Sequence, residues 1–314
     1  MSESSSATTG LAPSRRKKRE VEGPARTNLS SLDRKRTSVK AWLNLTIALV
    51  LAILSLVALG PLLWLAKSAI SATADIVQQP YAWFPSGVQW ENLYEAWTKL
   101  RVGKYTYNTF VLMFGDVFFG LLVSLTGGFG IAVLKPKYAK VVFGAVLACL
   151  FIPGVVSLVS QYLTVLDMPI LGWNLVNTYW AIWLPGAASA FNVLLISRFF
   201  SGLSLEIMEA AKIDGAGPFR LFWSIALPMS RPIVGVIALL IAVNAFDGFL
   251  WPMLVLPDSN LHPIAVGIFR ASESAEQSLL MAGMFISVIA PILIFLAFQR
   301  QFLRNAGQAG ALKG

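Results

Sequence analysis

Residues Glu209–Pro228 read EAAKIDGAGPFRLFWSIALP. The stretch is polar at its start, broken by Gly215 and Gly217, and stopped by Pro228. Ser204 stands before it as an N-cap, and Glu206 and Glu209 fall in the early turns, where the helix dipole favours acids. Gly215 sits where a left-handed residue commonly closes a helix, and Pro218 takes the favoured first position of the next. These residues predict a short helix, a glycine corner and a second short helix over "PFRLFWSIAL". Such a corner is stiff enough to transmit a push.

What surrounds the corner is apolar. The 314 residues are 56% hydrophobic and 13% charged, with a mean hydropathy of +0.66. A soluble domain carries about 25% charged residues, so this composition belongs in lipid. A single cysteine, Cys149, excludes an internal disulfide framework, and a single histidine, His262, argues against a His/Cys metal site. Both are assigned bland roles: Cys149 in the core, His262 in a wet outer loop. The net charge of +9 sits in tails and loops, which points to membrane topology and not to nucleic acid.

A spanning helix needs about 20 apolar residues. The intervals poor in charge predict six, at 42–66, 108–134, 141–163, 177–197, 232–254 and 279–299. With the N-terminus inside, 20 of the 25 Lys and Arg fall on the cytoplasmic side, while the acids outside the membrane divide evenly. The asymmetry predicts N-in, C-in, with the glycine corner in the cytoplasm. Residues 1–40, Ser-rich and then basic, are expected to form a disordered arm beside anionic lipid. No small-residue cleavage site follows the first apolar run, which sets the arm apart from a signal peptide. In the first outer loop, "PYAWFPSGVQWENLYEAW" suits the headgroup level, with "ENLYEAW" as a short surface helix. Pro153-Gly154, Pro185 and Pro291 are expected to kink their spans.

Glu209, Ala210, Ala211, Gly215, Ile225, Leu227 and Pro228 stand at the spacing of the EAA loop of ABC importer permeases. The likeness extends over residues 47–314. "GPLLWLAKSAI", "NTYWAIWLP" and the final "LLMAGMFISVIAPILIFLAFQRQFLRNAGQAGALKG" resemble segments of the sugar-importer branch, the second permease of maltose/trehalose-type systems. One departure lies in the fifth span, where Phe246-Asp247-Gly248 precede "FLWP" in place of the family's Trp-Asn-Asp.

The resemblance implies an all-α membrane protein with the type I ABC importer permease fold. It would comprise an N-terminal arm (1–40), a six-helix permease domain (41–304) containing the coupling loop (201–230), and a C-terminal tail (305–314). It would sit in a bacterial or archaeal cytoplasmic membrane. The implied partners are a homologous second permease, two ATP-binding subunits and an extracytoplasmic sugar-binding protein. The chain itself would hold no cofactor; ATP and Mg belong to the ATPase. The absence of a GxxxxGK(S/T) loop agrees with a chain that is no enzyme. Glu209, Ala210, Ala211, Asp214 and Gly215 would form the docking corner, with Lys212 and Arg220 facing acids on the ATPase. The tail residues Gly310, Ala311, Leu312, Lys313 and Gly314 would reach into the ATPase dimer.

Two acids lie at membrane depth, Asp116 and Asp247, with Asn244 one helical turn before the latter. A central Asp costs about 2.5–3.5 kcal/mol to insert, so such groups face protein or water. Carboxylate and amide groups pair with sugar hydroxyls, and aromatic rings stack on sugar faces, which makes Asn244, Asp247 and Asp116 candidates for the substrate path. The alternative is interhelical hydrogen bonding, or a secondary carrier that uses the two acids for cation coupling. The carrier reading leaves the EAA stretch unexplained.

Overall fold

The structure is a computed structural model that describes residues 37–311. The reading of an N-terminal arm falls on residues outside these, except at its end, where helix α1 (Thr37–Ala69) begins. The chain divides into two compact units, Met1–Leu59 and Gly60–Gly314. The described part of the first is the stretch 37–59 of helix α1, whose apolar side chains from Trp42 to Leu59 are mostly exposed, as contact with lipid requires.

Within the second unit, α2 (Thr73–Gln78) and α3 (Glu91–Thr98) fold the first outer loop. The buried Asp75 carboxylate ties this loop by accepting from the Ser86 N–H at 3.2 Å and hydroxyl at 2.7 Å. Helix α4 (Val102–Phe129) ends in a π-turn, Gly130–Leu134. Then come α5 (Ala139–Cys149), α6 (Leu158–Leu166), α7 (Trp180–Ala187), α8 (Ala190–Ser201), α9 (Leu205–Ile213), α10 (Pro218–Leu221) and α11 (Leu227–Met229). The chain continues with α12 (Arg231–Asp247), α13 (Leu250–Val255), α14 (Ile264–Ala271) and α15 (Gln277–Ala311).

Helix α4 is central, packing against α7, α8 and α12. Small residues permit the approach: a Cβ at Gly128 would stand 2.6 Å from Ile196 Cγ2 and 3.0 Å from the Ser197 nitrogen. Where α4 ends, Phe129 packs edge-on against Phe200 and Phe222, with ring centroids at 5.9 and 5.1 Å.

Among the described residues, three helices are long and apolar enough to cross a membrane, at 40–69, 102–134 and 277–297. Two bent pairs bring the number to five if each is counted as one span: α7 with α8, at 41°, and the segment 218–229 with α12, at 79°. The chain is therefore an all-α, multi-spanning membrane protein. The expected helix over 141–163 is not continuous. It stops at Cys149 and resumes at Leu158, because Pro153 has no N–H to donate and disfavours helical geometry in the residue before it. The fifth expected span also breaks, at Gly248-Phe249. Pro185 lies three residues before the bend between α7 and α8, where Ser189 Oγ caps α8 by accepting from the Asn192 N–H at 3.3 Å. Pro291 leaves α15 helical throughout, so no helical break marks it.

Two single residues depart from their expected surroundings. Cys149 is exposed, at the end of α5. His262 is buried at 5% exposure, with Nε2 2.9 Å from the Leu256 carbonyl oxygen.

Candidate functional site

The stretch 205–229 is built as a corner with one anchored face. In α9, Met208 is buried and joins a core with Ile196, Phe200, Leu221, Phe222 and Ile237. Asp214 caps the helix, and Gly215 follows at φ +78°. The Gly215 N–H donates to the Lys212 carbonyl at 3.0 Å and the Ala216 N–H to the Ala211 carbonyl at 2.9 Å, the paired bonds of a Schellman closure. A Cβ on Gly215 would meet nothing within 4 Å. The glycine is thus required by backbone angle, not by space; an L-residue there costs about 1–2 kcal/mol.

Beyond the corner, Pro218 opens α10, and residues 222–226 widen into a π-turn that buries Phe222 and Ala226. Ser230, buried, donates its hydroxyl to the Ala226 carbonyl at 2.6 Å. The chain then bends 79° into α12. Ser204 occupies the N-cap position of α9 without a side-chain cap hydrogen bond.

The opposite face is open. Glu209, Ala210, Lys212, Asp214, Gly215 and Arg220 are exposed, and Ala211 is half-buried. Among the described residues, the only ion pairs are Lys99–Glu95 and Arg270–Glu273, so the charges of the corner are free. Large apolar side chains stand among them: Ile213 is 86% exposed, Phe219 is 78% exposed, and Trp223 lies 6.0 Å from the Phe219 ring. Apolar groups displayed together on a surface mark a contact with another protein or with the membrane. The motif alone did not single out Ile213, Phe219 and Trp223. The signal was there: Ile213 lies off the face that carries Met208, so its side chain has no core to enter.

The membrane-depth polar groups divide between two places. On α12, Ala242 and Phe246 pack against Met113 of α4, while Asn244 and Asp247 are exposed, and Asp247 is the last residue of the helix. Asp116 faces α7, where its Oδ1 would lie 3.2 Å from a Cβ on Gly186; that oxygen is buried without a hydrogen-bond partner. Aromatic rings cluster on this side of α4. Phe119 lies 5.3 Å from Trp180 and 5.8 Å from Trp183, and Tyr179 lies 5.7 Å from Trp183. The structure thus joins Asn244 with Asp247 on one face and sets Asp116 on another helix surface. In the tail, Gly310 and Ala311 continue α15, whereas Leu312, Lys313 and Gly314 lie outside the described residues.

At the far end of α4, polar side chains clamp the loop 256–264. Asn108 Nδ2 donates to the Asn260 and His262 carbonyls at 2.7 and 2.9 Å. Thr109 Oγ1 accepts from the Ile264 N–H at 2.8 Å, and Arg101 donates to Asn260 Oδ1 at 2.8 Å.

The described residues thus form a spanning bundle with an exposed helical corner, and no group of three or more His, Cys, Asp or Glu that could hold a metal ion occurs among them. Residues 108–307 match the family model of the binding-protein-dependent transport system inner membrane component. The chain belongs to this family and is a permease subunit of an ABC transport system, not an ATPase or a catalytic enzyme. It is 31% identical to the probable ABC transporter permease protein YurM of Bacillus subtilis, over 88% of this chain and 91% of that one. It is 26% identical to the sn-glycerol-3-phosphate transport system permease protein UgpE of Yersinia enterocolitica, over 75% and 87%. It is 25% identical to the diacetylchitobiose uptake system permease protein NgcG of Streptomyces coelicolor, over 82% and 86%. Its fold is similar to that of a bacterial ABC transporter involved in alginate import, with a TM-score of 0.72 at 21% identity, covering 87% of this chain and 98% of that one.

Proposed function

We propose that this chain is one of two permease subunits of an ATP-driven, binding-protein-dependent importer for a sugar or sugar derivative, and that residues 201–230 receive the work done by a separate ATPase. The observation that carries this reading is the corner itself: one face anchored in the bundle through Met208, Leu221 and Phe222, the other presenting Glu209, Ala210, Lys212, Asp214 and Arg220, with no ion pair to these among the described residues. The two alanines permit close approach, Gly215 sets the turn, and Ile213 and Phe219 give an incoming cleft apolar surface to bury. The relatives named for diacetylchitobiose and glycerol phosphate support a hydroxyl-rich substrate.

In this reading six spans form half of a translocation path. The third consists of α5, the break at Pro153-Gly154, and α6. Both termini are cytoplasmic, the basic residues 1–40 lie against anionic lipid, and the tail from 305 reaches the ATPase through Gly310–Gly314. ATP, with Mg, binds the partner subunits; their closure moves the corner, and the spans open alternately to the two sides. Asn244 and Asp247, and separately Asp116 beside its aromatic rings, serve as hydrogen-bonding groups along the path. The maltose/trehalose-type assignment within the sugar importers belongs to the same proposal.

The test is reconstitution with the second permease, the ATPase and the binding protein in proteoliposomes. Ligand-loaded binding protein should stimulate ATP hydrolysis. Transport that runs without ATP and collapses with an ionophore would instead establish a secondary carrier. Asp247→Asn with unchanged transport and substrate range would remove Asp247 from the path.

A further inference from the structure

Two hollows share walls where α4 gives way to α5. The first, about 540 Å³, is apolar and is bounded by Val123, Gly127, Val142, Val146, Ala190 and Val193. The second, about 660 Å³, is bounded by Lys135, Lys137, Lys140 and Arg198, with Ser197 and Ser201. Ile131, Pro136 and Ala139 line both, so the basic hollow lies beside the apolar one. Neither is lined by a carboxylate.

Local backbone builds the junction. The π-turn ends at Lys135, which takes a left-handed φ of 47° and donates its N–H to the Gly130 carbonyl at 3.1 Å. Pro136 follows, and the chain turns into α5 with three lysines within six residues. Small residues leave the apolar hollow unfilled: a Cβ on Gly130 meets nothing within 4 Å. Lys135, Lys137 and Lys140 are exposed and make no ion pair among the described residues; the Arg198 guanidinium lies 5.6 Å from the centre of the Phe143 ring.

Scattered positive charge at the end of a span needs no site to explain it. Here the charges line a hollow that adjoins an apolar one, with three lining residues in common. An occupant that satisfies both has an anionic head and an apolar tail. We propose that the adjoining hollows bind an anionic phospholipid, with its phosphate among Lys135, Lys137, Lys140 and Arg198 and an acyl chain against Val142 and Val193. Basic pockets between spanning helices recognise headgroups in this way. The proposal rests on the reading of α4 and α5 as membrane-embedded, and it does not depend on which solute the transporter carries.

The experiment is native mass spectrometry of the purified full-length chain released from mixed phosphatidylglycerol and phosphatidylcholine nanodiscs, without ATP or partner proteins. The importer reading is therefore untouched by its outcome. The wild type should retain phosphatidylglycerol over phosphatidylcholine by about tenfold, since a basic cluster beside spanning helices favours an anionic headgroup. The variant K135Q/K137Q/K140Q/R198Q should lose this preference, and K137Q/K140Q should lose part of it should the fourfold variant misfold. Gly130→Leu, which fills the apolar hollow and keeps every charge, should also release the lipid. Undiminished retention in the charge variants would overturn the proposal. So would undiminished retention in Gly130→Leu, or displacement of the lipid by millimolar inorganic phosphate, which would make this a site for the free anion.

Discussion

The two ends of α4 are finished in opposite ways. At its start, Asn108, Thr109 and Arg101 spend their polar groups on the loop 256–264, and His262 is folded in beneath. At its end, the corner of α9 and α10 is held by apolar packing on one side only, and its charges and its Ile213 and Phe219 side chains face outward. A helix of 28 residues is about 42 Å long, so the contrast extends the depth of a bilayer. One end is closed by the chain's own hydrogen bonds. The other displays an open surface, which the proposed function assigns to the ATPase. A permease that is driven from one side needs that division.

Substitutions at each end separate the two behaviours. Gly215→Pro should have the largest effect, because proline cannot adopt a φ of +78°. Binding-protein-stimulated ATP hydrolysis should vanish while membrane insertion persists, and normal coupling in this variant would break the comparison. Gly215→Ala should cost only about 1–2 kcal/mol, since the space is free and the strain is confined to the backbone. At the other end, Asn108→Ala removes one buried and one partly buried hydrogen bond and should destabilise by about 1–3 kcal/mol, read as a lowered Tm, with ATPase coupling retained in the folded fraction. Phe219→Ala should weaken binding of the ATPase by about tenfold and leave Tm unchanged, because an exposed ring holds no core.

The smallest effect concerns pH. Burial lowers the pKa of His262 from its ordinary value of 6.5, against the opposing pull of its hydrogen bond to Leu256. The unfolded chain therefore takes up the proton first. The stability contributed by neutral His262 is complete above about pH 6.5 and declines as pH falls toward the folded-state pKa. Thermal melts from pH 7.5 to 5 should show a decline that His262→Gln flattens.

The glycine corner, apart from the cap expected at Ser204, was legible because it is local: left-handed closure depends on neighbours within one turn. The spans were legible as apolar runs, but their interruptions were only partly so. Pro153 announced a kink where the structure has a gap between α5 and α6, whereas the break at Gly248-Phe249 has no proline immediately before it, and Pro252, three residues after Phe249, hides in an apolar run. The burial of His262 and the exposure of Cys149 were illegible, since each depends on which distant segment packs there. Asn108, 152 residues from Asn260, makes the outer clamp through pairings that no sequence window contains.

The central claim is that the open corner, and not the clamped end, meets the ATPase. It is tested most directly by cysteine cross-linking in a Cys149→Ser background, which removes the exposed native thiol. With the assembled transporter in membranes, Ala210→Cys should cross-link to the ATPase subunit, with a yield that changes on ATP binding, and Asn260→Cys should not. Absence of any product at position 210 in an assembly that still hydrolyses ATP on stimulation would contradict the account.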